Sequence, residues 1–510
     1  MLSDIELLPL LGAGLILYPI SLAIYRLYLH PLSYFPGPKL AALTGWYETY
    51  FDLLSNPPGQ FMFQISKMHD VYGPIVRINP HEVHVRDSTW IDTLYTGSAH
   101  GKRDKYPPTA IMTGVPKSIF GTVSHELHRL RRAAYNSLFS KINVSAASSL
   151  IYDNIDLLIN RMDEQIVRDG SAEMRLNYLS FATDTVAHYC TGKTRGLLND
   201  EQHAIAWQQT IVSLTESTLL GRHFPFFVPL ILQLPLPLVR VLMAKSARFV
   251  SLHREMEVLA QETLASQYLP DHQEDTGRSR NVFDLILANE NLPASEKSFD
   301  RISQEAVLCI AAGGETTARS LTTATYYLMT HPQALSRLQD ELVTVMPDVS
   351  SRPSLTKLEH LEWLTAIIKE SLRVMGLSTT RFPLVSPEDP IRYKEWVIPP
   401  GTPVSMTVRE ILLDPDVFKN PLEFRPERWL STNPELSRLN RSYVPFGRGN
   451  RMCLGLNLGY AEMYLVLASL FRRRTMRLHD TVKERDVDIV RDCFIGEVSL
   501  DTKGVRVKYA

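Results

Sequence analysis

Cysteine is scarce in this chain: Cys190, Cys309, Cys453 and Cys493 are the only four in 510 residues. Their wide spacing excludes a disulfide-stapled scaffold or a zinc module, and a reducing compartment fits them better. A surplus of charge is missing as well. A formal net charge of −1 and a pI near 7.0 exclude a bulk nucleic-acid binder. There is no internal repeat, and no G-x-G-x-x-G turn follows a strand, so the chain has no nicotinamide or flavin fingerprint of its own.

Long uncharged apolar runs are also rare. The exception, "LLPLLGAGLILYPISLAIY" between Glu6 and Arg26, is nineteen residues long, enough helix to cross about 30 Å of hydrocarbon. It predicts a membrane anchor over residues 1–30. Pro9 and Pro19 are tolerated in such helices, and Asp4 and Glu6 in front argue against a cleaved signal. Arg26 and Lys39 behind it put the body in the cytosol. "HPLSYFPGPKLA", with Pro31, Pro36 and Pro38, reads as a stiff non-helical hinge over 31–45. Residues 46–510 then form one catalytic domain.

Within it, helical periodicity dominates from about 120 to 380 and after Cys453, while "PIVRINPHEVHVR" and "GVRVKY" have strand character. The expected fold is mostly α with small β-sheets. The polar stretch 269–281 reads as a surface loop. "FPFFVPLILQLPLPLV", 224–239, is apolar but carries four prolines, which exclude a regular spanning helix. Two readings stay open for it: a buried loop, or a greasy surface loop that meets a membrane or roofs a substrate entrance.

The most informative stretch is "FGRGNRMCLG", 446–455, followed by an apolar helical run. Gly447 and Gly449 let the backbone bend tightly around a sulfur, and the positive end of the next helix favours a thiolate at Cys453. No neighbouring cysteine or histidine completes a zinc site, so a single thiolate ligand points to haem iron. Arg451 would then neutralise a propionate, Phe446 would pack on the porphyrin and Gly455 would allow close approach. Taken alone, a single cysteine is more commonly structural, which suits Cys190 and Cys309.

With its context, the stretch resembles the haem loop of the cytochrome P-450 superfamily, F-G/S-x-G-x-R-x-C-x-G, at Phe446, Gly447, Gly449, Arg451, Cys453 and Gly455. Three further stretches are similar to that family's motifs. "AGGETT", 312–317, resembles its oxygen-handling helix, which implies that Gly313 and Gly314 let the helix open and that Glu315 and Thr316 relay protons. "ESLR" and "FRPERW" imply a structural network of Glu370, Arg373 and Arg428. "HRLRR" resembles the W-x-x-x-R helix, with Arg132 on a propionate and His128 where tryptophan is usual; Arg381 is implied as another propionate ligand. The narrower likeness is to microsomal enzymes of fungal secondary metabolism, of trichodiene-oxygenase type.

The resemblance implies haem b on Cys453 and a monooxygenase acting on a small hydrophobic terpenoid or polyketide with O2. It also implies electrons from NADPH through a diflavin reductase drawn to Arg129, Arg131 and Arg448, and a single-pass place in the endoplasmic reticulum membrane. No nucleic acid is expected as a partner. An electron-independent haem-thiolate isomerase or dehydratase and a non-catalytic membrane haem-binding protein are the alternatives. "HEVH" and "HELH" are not zinc sites, because their histidines are three apart where H-E-x-x-H needs four.

Overall fold

The computed structural model describes residues 15–97, 101–266 and 281–510. Helices make up most of it, and the sheets are short, as the patterns predict. The core is organised on one helix, Phe299–Thr330, whose 32 residues reach about 48 Å. It is buried along most of its length. Around it pack the helices Met174–Thr191, Ala244–Ser266, Glu362–Met375 and Leu456–Arg473.

Gly313 and Gly314 lie in the middle of this helix, which runs through them without interruption. The expected opening is therefore not present. Their role is close packing. A Cβ at Gly313 would come within 2.7 Å of Val186, and one at Gly314 would run into the Thr183 hydroxyl. The roughly 1 kcal/mol that each glycine costs a helix is offset by this near approach of two backbones.

A five-stranded sheet flanks the helices. In spatial order its strands are Ile75–Arg77, Val83–Val85, Pro403–Ser405, Leu384–Val385 and Asp104–Lys105. All neighbours are antiparallel except Val83–Val85 against Pro403–Ser405. The edge register pairs Lys105 with Leu384, so a lysine from the first quarter of the chain lies beside the segment that follows Glu362–Met375. Strand Arg506–Tyr509 pairs with Met476–Leu478 and Ala172–Glu173, which accounts for the C-terminal β pattern.

The N-terminal run is only partly described: residues 1–14, half of the expected anchor, lie outside the described residues, as do residues 269–280 of the expected loop. Residues 15–24 are helical, and Leu15, Ile16, Leu17 and Tyr18 are exposed. Among the described residues no helix is long and apolar enough to cross a membrane. The hinge differs from expectation too. Lys39–Leu43 is helical behind Pro38, and Leu32 and Phe35 are buried in the core beside the sheet. Prolines rigidify this segment, but apolar contacts fix it to the body.

Stretch 224–239 folds into two short helices, Phe227–Gln233 and Leu236–Leu242. Ile231 and Val239 are buried against Ala247 and Val250, while Phe226, Leu230, Val241 and Leu242 are exposed. The segment is thus a surface element with one buried face.

Candidate active site around Cys453

The cysteine loop is built by glycine geometry and its own hydrogen bonds. Gly447 and Gly449 sit at φ 76° and 73°, the left-handed region that favours glycine. A Cβ at Gly449 would run into the carbonyl oxygens of Tyr95 and Thr96, so the loop is pressed against that segment. At Gly447 and Gly455 a Cβ would meet nothing within 4 Å, which leaves open space beside the sulfur. The Cys453 N–H donates to the Phe446 carbonyl at 2.9 Å and closes the loop. Phe446 rests on Tyr460 at a centroid distance of 5.1 Å, and helix Leu456–Arg473 begins just beyond.

Cys453 is exposed, in a loop whose other residues are half-buried. Burial against protein on its other side raises its pKa, and the Gly455 N–H and the Arg132 charge pull it back down.

Four basic side chains gather near the sulfur. Arg132, on helix His125–Tyr135, donates through Nη1 to the Met452 carbonyl at 2.7 Å. The helix is held by its Ser124 cap and by Asp104, whose Oδ1 accepts from the His125 N–H at 2.7 Å. His128, one turn before Arg132, is buried, and burial with the charges of Arg451, Arg132 and Lys105 holds its pKa down to about 3. Arg451 donates to the carbonyls of Thr122 and Val123, but its buried Nε has no partner. Burial lowers its pKa to about 10, against the opposing pull of Asp104. Lys105 is buried, donates to the Phe120 carbonyl at 2.5 Å, and is lowered well below the ordinary lysine value by burial and by Arg451.

None of the four forms an ion pair among the described residues. Lys105 is buried and Arg132 and Arg451 are half-buried, and like charges crowded in this way without counter-ions are unfavourable unless an anion completes them. A haem, with two carboxylates and an iron needing an axial ligand, fits both halves of this donor set. Lys105 was not identified from sequence, since one lysine in "RDKYPP" gives no sign of being buried.

On the central helix, Thr316 is half-exposed and Ala312 exposed, within an otherwise buried stretch. The Thr316 hydroxyl donates to the Ala312 carbonyl at 2.8 Å. Glu315 faces elsewhere. Its Oε1 accepts from Arg175 Nε and Arg319 Nε, both at 2.9 Å, in a buried cluster with Glu497. Successive residues of a helix point about 100° apart, so Glu315 lies in this ion cluster while Thr316 lies on the more exposed side of the helix.

Glu370, Arg373 and Arg428 come together as expected. Glu370 and Arg373 are fully buried and joined by two bonds of 2.8 Å. Arg428 Nε donates to Glu370 at 3.2 Å, and Trp429 Nε1, which sequence reasoning missed, adds a fourth contact at 2.9 Å. The spare guanidinium hydrogens go to the carbonyls of Leu412, Pro421 and Glu423.

Arg381 is a second correction. Instead of standing with the free cations, it bonds Glu48 at 2.6 Å and Glu82 at 2.9 Å through Nη2 and Nε in a buried network. Arg131 is a third: it is buried and bidentate to Glu296, whereas Arg129 is exposed and Arg448 half-exposed.

Residues 46–503 match the family model described as cytochrome P450. A tryptophan 6-hydroxylase of Fusarium equiseti is 40% identical over 504 residues, covering 98% of this chain and 97% of that protein. A cytochrome P450 monooxygenase of Sordaria araneosa is 38% identical, covering 99% of each chain. An N-acetyltryptophan 6-hydroxylase of Emericella nidulans is 36% identical over 482 residues, covering 94% and 92%. The narrower trichodiene-oxygenase likeness has no counterpart among these three. With its cysteine loop, its open space beside the sulfur and its unpaired cations, the chain belongs to the cytochrome P450 family and is a haem-dependent monooxygenase.

Proposed function

We propose that Cys453 would hold the iron of haem b as a thiolate and that Arg132, Arg451, Lys105 and His128 would receive its propionates. The observation that carries this reading is that Lys105, Arg132 and Arg451 stand beside His128 and an accessible cysteine without a carboxylate partner. Phe446, Gly447 and Gly455 would flank the macrocycle. When bound, haem supplies oxygen activation: with two electrons and two protons, one atom of O2 enters the substrate and the other leaves as water.

The protein's own part is to hold the sulfur, exclude bulk water and place one hydroxyl. Gly455 N–H and Arg132 stabilise the thiolate. Thr316, half-exposed with its hydroxyl donating to the Ala312 carbonyl, keeps lone pairs with which to accept a hydrogen bond. The chain would hydroxylate or epoxidise a hydrophobic secondary metabolite, with NADPH electrons arriving through a diflavin reductase at the exposed Arg129 and the half-exposed Arg448. Two relatives are named for hydroxylation of tryptophan or N-acetyltryptophan, which favours an aromatic substrate over the terpenoid or polyketide first expected.

The site of action would be the endoplasmic reticulum membrane. Residues 15–18, Trp46, Phe226, Leu230 and Val241 expose apolar surface, and Trp46 and Phe224 adjoin at 6.4 Å. Flotation of the purified chain with liposomes tests this, and recovery only at the bottom of the gradient would contradict it.

The activity itself is tested by reconstitution with reductase. Product formation should require NADPH, and the Thr316→Ala protein should keep consuming NADPH while product per NADPH falls roughly tenfold or less and peroxide rises. Turnover without NADPH would move the protein to the isomerase or dehydratase class.

A further inference from the structure

Two of the four cysteines meet where the central helix packs most closely on its neighbour. Cys190 lies near the end of helix Met174–Thr191 and is fully buried, while Cys309 lies in the first half of helix Phe299–Thr330 and is half-buried. The glycine contacts fix the register of this helix pair. Gly314 meets Thr183 and Gly313 meets Val186, so numbers rise along one helix as they fall along the other and the two run antiparallel. One turn further on, four residues after Val186 and four before Gly313, stand Cys190 and Cys309. A Cβ built at Gly313 lies 3.1 Å from the Val186 Cβ, and one at Gly314 lies 3.4 Å from the Thr183 Cβ. Cβ atoms joined through a disulfide are about 3.5–4.5 Å apart, so the helices approach closely enough for a bridge without being drawn together. The two thiols are in hydrogen-bond contact, and Cys190 together with burial holds the Cys309 thiol well above the ordinary pKa.

The two sulfurs are not equally accessible. Cys309, Ala312 and Thr316, none of them buried, recur at i, i+3 and i+7 and so share one stripe of the central helix. Cys190 has no exposed surface. A small oxidant that reaches the Thr316 side of the helix therefore meets Cys309 first. Hydrogen peroxide is such an oxidant, and a monooxygenase releases it whenever reduced oxygen leaves without being used on substrate. The raised pKa makes Cys309 a slow nucleophile, so the pair stays reduced at rest. In a reducing compartment a disulfide is characteristically transient and serves redox sensing.

We propose that Cys190 and Cys309 form a peroxide-sensitive dithiol site, whose oxidation joins the central helix to helix Met174–Thr191 through a reversible disulfide. The Cys309 sulfur attacks one peroxide oxygen and the O–O bond breaks; Cys309 becomes a sulfenic acid and the other oxygen leaves as water. The Cys190 sulfur then attacks the Cys309 sulfur, the S–O bond breaks and a second water leaves, carrying the Cys190 thiol proton. The thiol pair has given two electrons, and one peroxide has become two waters. This goes beyond the monooxygenase reading and holds whatever the substrate.

The test uses the full-length, haem-loaded protein, whose carbon monoxide spectrum in the reduced form is recorded first. A few equivalents of hydrogen peroxide are added, the remaining thiols are alkylated under denaturing conditions, and peptides are mapped by mass without reductant. One product should lack alkyl groups on Cys190 and Cys309 and show their two peptides joined, and dithiothreitol should reverse it. Its melting temperature should be higher by about 2–5 °C, because the bridge closes a long loop of the unfolded chain. In Cys190→Ser the reaction should stop at a sulfenic acid on Cys309, trapped with dimedone, whereas Cys309→Ser should give no adduct on Cys190. Absence of the bridge at a dose that already oxidises methionines elsewhere in the chain would overturn the proposal, and so would a bridge to Cys453 or Cys493 instead. If a serine variant fails to fold, the wild-type peptide map decides alone. A normal carbon monoxide band with no bridge refutes only this inference, whereas loss of the thiolate band in untreated protein refutes the haem-thiolate reading and leaves the thiol test in force.

Discussion

Two kinds of buried charge occur within this one chain. In the Glu370, Arg373 and Arg428 network every charge has an opposite partner, and carbonyl oxygens take up the spare guanidinium hydrogens. Around Cys453, by contrast, Lys105, Arg132 and Arg451 share space with His128 and have backbone carbonyls but no carboxylate partner. The first arrangement is complete within the polypeptide and serves the fold. The second becomes electrically complete only with an external anion, and so marks the place where a dicarboxylate cofactor belongs. Arg381 shows the value of the distinction, since its motif context suggested a cofactor role and its partners Glu48 and Glu82 assign it to the fold.

Breaking the complete clusters should unfold the protein. Glu370→Ala leaves Arg373 and Arg428 without their carboxylate and removes the acceptor of Trp429 and of the Arg425 N–H. We expect a loss of about 3–5 kcal/mol, read as failure to accumulate soluble protein or as a collapsed denaturation midpoint. A folded variant of normal stability would show that the network is dispensable. Arg381→Met should act in the same way at the lower end of that range, about 3 kcal/mol, because Glu82 keeps Ser405 and Asn79 as donors. The fraction that folds should carry haem normally. Normal stability combined with haem loss would return Arg381 to the propionates and blur the comparison.

A smaller effect follows from a third buried carboxyl. Glu462, on the helix after Cys453, accepts from the Thr317 hydroxyl at 2.9 Å and has no cationic partner, so burial raises its pKa to about 8. A carboxyl raised in the folded state binds its proton more tightly there than when unfolded. Its contribution is therefore fully present near pH 4.5 and is lost as pH rises toward 8, with a slope of up to about 1.4 kcal/mol per pH unit. Glu462→Gln should remove that slope and be more stable than wild type by up to about 4–5 kcal/mol at pH 8, measured by denaturant unfolding across the pH range. Parallel pH profiles for the two proteins would show that Glu462 is ionised in the fold.

Much of this was legible in the sequence because the information is local. The cysteine loop needs its glycines within ten residues, and Glu370 and Arg373 share one helical face through i, i+3 spacing. What was not legible depends on partners far away in the chain. Gly313 and Gly314 look like helix weaknesses until Val186 and Thr183 are seen against them. Glu315 follows a familiar motif, but Arg175 and Arg319 claim its carboxylate. Lys105 lies on a two-residue strand whose burial comes from pairing with Leu384, nearly three hundred residues later. The apolar start of the chain was plain in composition, yet only its second half, from residue 15, falls within the described fold.

The central claim, that the cations at the cysteine site wait for a cofactor's carboxylates, is tested most directly by Lys105→Met, a change that keeps the apolar stem and removes the charge. Two quantities are measured together: the rate at which haem leaves the holoprotein, and the thermal stability of the chain freed of haem. Removing the buried one of several unbalanced cations should leave the haem-free chain as stable as wild type or more so, while haem leaves about ten times faster, the equivalent of one charge-assisted contact. Unchanged haem release together with a destabilised haem-free chain would mean that Lys105 is already satisfied by the protein, and would contradict the account.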